Sequence, residues 1–244
     1  MIQFYAPDIA DTLTLPESDS QHAVRVLRLR EGDELTVVDG KGRRYRCVIT
    51  GAHQRHTTVE ILSSETLLPS WSGEIVAAVA PSKHLDRMEW MTEKLTEIGV
   101  DRIIPLLCRR SERRELKPER LEKIAVAAMK QSLKAVLPVV EPMTPVGEVT
   151  ARYAGAQALI AYCDRSIPRR ELVATYRSGA PVTAIMIGPE GDFAPEEIKA
   201  ALDAGWKPVA LGPERLRTET AALRAVDAIH ILDQYRSITD NPEI

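Results

Sequence analysis

Two Gly-Pro-Glu turns, Gly188-Pro189-Glu190-Gly191 and Gly212-Pro213-Glu214, each follow an apolar run late in the 244-residue chain. The second leads straight into Arg215, Arg217, Thr218, Glu219 and Thr220, ahead of a long apolar-faced pattern. Glycine lets backbone approach a ligand closely or adopt positive φ, whereas proline stiffens a turn and withholds an N–H. Ligands of open α/β sheets bind beyond the carboxyl ends of the strands, where both turns fall. A rigid loop of carbonyls and a few amides suits an adenine edge and ribose hydroxyls. Dense phosphate charge instead favours uninterrupted amides with lysine or arginine, and neither the P-loop pattern nor G-x-G-x-x-G occurs here. A nucleoside-like cofactor without a triphosphate fits these residues, and a bare strand-to-helix turn is the competing reading. Thr218 or Thr220 can cap the following helix, but a cap needs one hydroxyl and leaves the arginine and glutamate beside it unexplained.

The elements that must hold these turns alternate. "EIVAAVA" (74–80), "IIPLL" (103–107), "ALIAYC", "AIMI" and "PVAL" read as buried strands. Between them run helical patterns: Met88, Met91, Leu95 and Ile98 ending at Gly99, then Leu121, Ile124, Ala125, Ala128 and Met129 after Pro118. A further helix begins near Pro195, and "TETAALRAVDAIHILDQY" closes the chain. Such interleaving predicts a mostly parallel α/β sheet. The first third reads differently. "DELTVVDG" and "RRYRCVITG" flank a hairpin signal at Asp39-Gly40-Lys41-Gly42, and "TTVEIL" (57–62) follows, which together suggest a small barrel or sandwich. The polar stretch Ser63 to Gly73 is the expected boundary, dividing the chain into residues 1–70 and 71–244.

Formal net charge is −3, which argues against a whole-surface nucleic-acid binder but not against local patches. Gln21 to Glu60 carries eight Lys/Arg against five Asp/Glu, and Cys108 to Arg120 carries six against three. Arg25, Arg28, Arg30, Arg43, Arg44, Arg46, Arg109, Arg110, Arg113 and Arg114 are therefore candidate phosphate contacts; a solvated charged face is the alternative. Arg25 and Arg28 are expected on one helical face, Arg44 and Arg46 on one strand face. Aromatic residues are few, so RNA recognition would rest on backbone and shape. Cys47, Cys108 and Cys163 have neither metal-like nor disulfide-framework spacing, and no metal is expected. The N-terminus lacks the basic-then-apolar pattern of a signal peptide, and no apolar run approaches the roughly 20 residues that span a bilayer. A cytoplasmic location away from membranes is the expectation.

"IGPEGDF" and "LGPERLRTETA", in this order and spacing, resemble the C-terminal signature of the RsmE-like ribosomal RNA small subunit uridine-N3 methyltransferases of the SPOUT superfamily. "HAVRVLRLREGDELTVVDGKGRRYRCVI" is similar to that family's N-terminal PUA-like RNA-binding barrel. "KHLDRMEWMTEKLTEIGVDRIIPLLCRRS" and "KQSLKAVLP" are similar to its central segments. The resemblance implies a PUA-like β-barrel followed by a SPOUT-type α/β domain tied into a C-terminal trefoil knot, an exception to the un-knotted rule. It implies S-adenosylmethionine as cofactor, homodimerisation, and N3 of a uridine in 16S ribosomal RNA, in the assembled subunit, as target.

Matched residue by residue, Gly188, Pro189, Glu190 and Gly191 form the first cofactor loop, Leu211 and Gly212 the second, and Leu216, Arg217, Thr218, Glu219, Thr220 and Ala221 the third. Ile187 and Leu216 would pack on adenine, with backbone amides of 216–221 bonding its edge. Asp192 departs from the family's glycine, Lys134 from its arginine, and Met129-Lys130 from its acidic pair. Arg217 is expected to stabilise a uracil oxyanion. Glu219 is either a proton acceptor or a structural partner of Arg217. His22 matches a family position and is either a structural hydrogen-bonder or a catalyst. Two other classes stay open: a non-catalytic RNA-binding ribosome-assembly factor with a degenerate pocket, and an unrelated α/β nucleotide enzyme.

Overall fold

The computed structural model describes residues 2–164 and 168–240, in two compact units. The first comprises Met1–Ser70 and Val126–Leu137. Its strands β1 (Gln3–Tyr5), β2 (Glu34–Val38), β3 (Arg43–Gly51) and β4 (Thr58–Thr66) form one sheet in that order, parallel between β1 and β2 and antiparallel beyond. Alternation decides what faces inward: Leu35, Val37, Tyr45, Cys47, Ile49 and Val59 are buried together with Phe4, Ile9 and Leu15. Asp39 builds the β2–β3 turn by accepting the amides of Lys41 (2.7 Å) and Arg43 (3.0 Å), with Gly40 and Gly42 at positive φ. Two short helices, α1 (Ile9–Thr12) and α2 (Glu17–Gln21), follow β1. Between them Leu13 and Leu15 exchange backbone bonds with Val59 and Thr57, each 2.9 Å. This short run of chain thus covers the start of β4, at one edge of the sheet.

Two expectations need correction here. The polar run Ser63–Thr66 is not a linker but the end of β4, paired with Arg43–Arg46. Residues 126–137, expected with the second unit, group with the first. Gly42 donates to the Ala135 carbonyl (3.0 Å), Leu137 to that of Gly40 (2.9 Å), and Lys130 pairs with the buried Asp19.

The second unit, Trp71–Ala125 and Pro138–Ile244, is built on an all-parallel sheet. β5 (Glu74–Val79), β6 (Arg102–Leu107), β9 (Gln157–Ala161), β11 (Val182–Ile187) and β12 (Lys207–Ala210) lie in the order β12-β9-β11-β5-β6. Two-residue strands β7 (Val139–Val140), β8 (Thr144–Pro145) and β10 (Arg170–Glu171) extend it. The central strands read as continuous apolar runs because helices cover both faces. On one face α5 (Val146–Arg152) and α7 (Pro195–Asp203) enclose Val149, Ile160, Met186, Phe193, Ile198 and Trp206. On the other, α3 (Leu85–Ile98) packs against the closing helix α8 (Thr218–Asp240). Met88, Met91 and Leu95 are fully buried there, as are Ala222, Ala225, Val226 and Ile229. α4 (Pro118–Gln131) begins in this unit, with Leu121 and Ala125 buried, and continues into the first, where Met129 packs with Val38 and Ala135; α6 (Leu172–Thr175) is a single turn. Among the described residues no helix is long and apolar enough to cross a membrane.

Trp206 is 2% exposed and its indole N–H donates to the Thr150 carbonyl at 3.1 Å. Trp206→Ala should cost about 3–5 kcal/mol through the cavity and lost contacts. Trp206→Phe, which keeps most of the volume and loses the donor, should cost about 1–3 kcal/mol. Urea unfolding followed by circular dichroism checks this; equal costs for the two variants would contradict it.

Candidate functional site

Three adjacent parallel strands end at one level: Ala161 of β9 is opposite both Ile187 of β11 and Val209 of β12. The segments that leave these ends meet in a cleft. Ala161, Ile187, Val209, Leu211, Leu216 and Ala221 give it apolar walls, while Arg169, Arg215, Arg217, Glu190 and Glu214 supply charge of both signs. Gly188 is buried, and a Cβ there would lie 2.9 and 3.0 Å from carbons of the Phe193 ring, so the turn can pass at this depth only as glycine. Gly212, at φ 101°, donates its N–H to Glu171 Oε2 at 3.0 Å. Thr218 is buried, and its hydroxyl donates to the Gly188 carbonyl at 3.2 Å, pinning the start of α8 to the first Gly-Pro-Glu turn. Apolar walls with a rim charged in both signs suit an adenosine joined to an amino-acid group.

The cleft gathers Ile187, Gly188, Pro189, Glu190, Leu211, Gly212, Leu216, Arg217, Thr218 and Ala221, all expected in it. Gly191 and Thr220, also expected there, do not line it. The Gly191 carbonyl turns outward and accepts from Arg110 Nη1 at 3.0 Å. On a helix, residues three apart share a side. Thr218 and Ala221 therefore face the cleft, whereas Glu219 and Thr220 face a separate depression with Asp86, Arg87 and Trp90. Glu219 is 7% exposed and lies 3.8 Å from Arg87 Nε, so its structural partner is Arg87, not Arg217. The Ala221 amide is also unavailable to a ligand, because it donates to the Arg217 carbonyl at 2.8 Å. Amides of the first helical turn have no such intrahelical acceptor.

Sequence reasoning missed Tyr162, Cys163 and Arg169, which also line the cleft, as does Asp192, noted there only as a departure from the family's glycine. Arg169 lies over the Tyr162 ring, 5.3 Å from its centroid, and donates to the Tyr162 carbonyl. Asp192 has φ 62° and a carboxylate that bonds amides of the β9 exit. The only signal for the β9 contribution was the end of "ALIAYC", and nothing local to it says which strands flank it.

The arginines divide into two groups. Arg44 and Arg46 share the outer face of β3 as expected, beside Thr36, Ser63 and Ser64; Arg44 pairs with Glu65 at 2.8 Å and Arg46 with Glu34 at 3.8 Å. Arg25 and Arg28 do not share a helical face. Arg25 sits in a π-helical turn, His22–Val26, bonded to Gln54 at 2.7 Å, and Arg28 lies beyond it at φ 59°. Arg28, Arg30, Arg43 and Arg114 are exposed. Arg109 is exposed and pairs with Glu196. Arg110 and Arg113 hold loops: Arg110 bonds the Gly191 and Phe193 carbonyls, and Arg113 those of Ser82 (3.3 Å) and Lys83 (2.8 Å). His22 meets Phe4 edge-on, centroids 6.1 Å apart.

A family model described as an RNA methyltransferase domain matches residues 69–230, and one described as an RNA methyltransferase PUA domain matches residues 15–62. The chain is 30% identical over 242 residues to the ribosomal RNA small subunit methyltransferase E of Mycobacterium tuberculosis, covering 94% of this chain and 91% of that protein. To the protein of that name from Synechocystis it is 32% identical, covering 92% and 74%. Among solved structures, the ribosomal RNA small subunit methyltransferase E of Neisseria gonorrhoeae bound to S-adenosylmethionine superposes with a TM-score of 0.84. Their identity is 30%, over 95% of this chain and 98% of that one. A probable rRNA-methyltransferase from Porphyromonas gingivalis gives a TM-score of 0.92 at 44% identity, over 97% and 100%.

Cys47 and Cys108 are buried, and burial pushes their thiols up to about 11 and about 12, whereas Cys163 is exposed at the cleft. Iodoacetamide at pH 8 should therefore modify one thiol per native chain, at Cys163, by peptide mass spectrometry. Rapid labelling of a second cysteine would contradict the packing described.

Proposed function

The chain belongs to the ribosomal RNA small subunit methyltransferase E family, and we propose that it methylates N3 of a uridine in 16S ribosomal RNA, using S-adenosylmethionine. What carries this reading is the convergence of Ile187–Glu190, Leu211–Gly212 and Leu216–Thr218 on one cleft with apolar walls and a zwitterionic rim. The residues fit the cofactor: Ile187 and Leu216 offer apolar faces, and the rim carries both signs for an ammonium and a carboxylate. When bound, S-adenosylmethionine supplies a methyl group already activated by its sulfonium. The chain's task is then alignment, and holding two reactants in near-attack geometry contributes roughly 7–11 kcal/mol. We infer that the segment 211–217 passes through the family's trefoil knot, consistent with the Thr218–Gly188 bond.

Uridine N3–H is a weak acid: its proton leaves to solvent water at or before transfer, which frees the N3 lone pair and places negative charge on the uracil oxygens. Arg217 is exposed at the cleft, and its guanidinium makes no hydrogen bond or ion pair among the described residues. We assign to it the stabilisation of that oxyanion. Glu219, held by Arg87 on the other flank of α8, is assigned a structural part. The target base is reached unpaired or flipped out, in the assembled small subunit. Arg25, Arg28, Arg30, Arg44 and Arg46 would contact phosphates from the PUA-like unit, with Arg109 contributing from the other. Ile231, Tyr235 and Ile238 are exposed along the outer side of α8, which supports homodimerisation. Action in the cytoplasm completes the reading.

Labelled methyl transfer to assembled small subunits and to naked ribosomal RNA, followed by nucleoside analysis, tests it. Absence of N3-methyluridine with both substrates would refute it. Arg217→Ala should leave calorimetric S-adenosylmethionine affinity within about twofold while kcat falls at least about 100-fold; unchanged turnover would remove Arg217 from catalysis. Arg28→Ala and Arg30→Ala should each weaken RNA binding across sequences and lower the slope of log K against log salt by about one. A slope unchanged by both variants would take these arginines off the phosphate path.

A further inference from the structure

Asp192 occupies the left-handed region at φ 62°, which aspartate reaches more readily than most residues because its short side chain bonds the local backbone. Its own N–H closes a turn onto the Pro189 carbonyl at 2.9 Å. The carboxylate accepts three backbone amides: Oδ1 from Phe193 at 2.9 Å, and Oδ2 from Cys163 at 2.9 Å and Asp164 at 3.1 Å. The last two belong to the segment leaving β9. Strand pairing stops just before them, since Ala161 is the last residue of β9 in register with both β11 and β12. The carboxylate therefore takes over the backbone of β9 where the ladder ends. Tyr162 and Cys163 form one wall of the cleft, and Gly188, Pro189 and Glu190 form another. One side chain spans the two.

We propose that Asp192 is a positioning residue for the cofactor, a clasp that fixes the β9 exit against the first Gly-Pro-Glu turn and so sets cofactor affinity without touching the reacting atoms. The proposal rests on the reading of this cleft as the S-adenosylmethionine site. A loosened clasp lets the 162–164 wall drift from the ligand, which weakens binding; Arg217, at the start of α8, keeps its place, so the transfer step is spared.

Asp192→Gly accepts positive φ without strain and removes all three acceptors. Asp192→Asn keeps one carbonyl oxygen. With Asp192→Gly, the calorimetric Kd for S-adenosylmethionine should rise about tenfold, equivalent to about 1.4 kcal/mol, and KM for it should rise in parallel. The kcat at saturating cofactor should stay within about twofold, and amide hydrogen exchange at 163 and 164 should accelerate in the free protein. Asp192→Asn should restore most of the affinity and most of the protection. Unchanged Kd in Asp192→Gly would overturn the clasp, as would a kcat that falls with no change in KM, which marks a role in chemistry. If the glycine variant fails to fold by thermal melting, the asparagine variant decides: a Kd raised about threefold supports the clasp and a wild-type Kd overturns it. A parent chain that binds no S-adenosylmethionine refutes the functional reading itself, and is told apart because both variants are compared with a parent that binds.

Discussion

The shared ending of β9, β11 and β12 is the constraint on which the site depends. Parallel pairing sets Ala161 opposite Ile187 and Val209, so three chain segments distant in sequence leave the sheet at the same level and in the same direction. Everything that lines the cleft comes from those exits or from the first turn of α8. A change in register of one residue would turn the inward side chains of a strand to the opposite face and remove one wall. The strands tolerate no such slip because they are buried on both faces. Ile185, Met186, Leu159 and Ile160 are all fully enclosed, so the geometry of the exits is inherited from the densest part of the core.

Polar contacts then tie the exits together. Thr218 bonds the Gly188 carbonyl, Glu171 takes the Gly212 amide, and Asp192 takes two amides beyond β9. Glu197 acts similarly at the start of α7, accepting both the Ala194 amide and that of Arg109, each at 2.8 Å. Backbone groups at strand ends lose their ladder partners and must find others. Here the replacements are carboxylates and a hydroxyl from neighbouring exits, so satisfying the backbone and shaping the cleft are one task. The same logic splits the arginines. Arg110 and Arg113 satisfy carbonyls of loops, whereas Arg28 and Arg30 stand exposed on the PUA-like unit.

Much of this was legible in the residues. Continuous apolar runs marked the parallel strands, and glycine with proline marked two of the three exits, because those signals are local. Adjacency was not local. Nothing in "ALIAYC" states that β9 lies between β11 and β12, so Tyr162 and Cys163 went unseen. Glu219 looked like a neighbour of Arg217 in a linear reading, but a helix turns successive side chains apart and delivered it to Arg87. Arg28 looked helical by spacing, yet a π-helical turn and a positive φ displace it. Residues 126–137 read as part of the second unit because a helix runs through them; their backbone bonds to Gly40 and Gly42 decide otherwise.

The pairing of β5 with β11 has a consequence for how the chain comes to exist. The hairpins of the PUA-like unit join strands that are close in sequence and form early and fast, whereas Val182 must find Glu74 across most of the second unit. Synthesis delivers β5 and β6 long before the strand that completes their neighbourhood. During that interval the open side of β5 offers unpaired backbone, the state in which parallel sheets are prone to associate with other chains. The cleft is later still, because its last wall begins at Leu211 and is pinned only when Thr218 arrives. Ligand binding is therefore among the final properties the folding chain acquires, and a chain halted after β12 would have a sheet without a pocket.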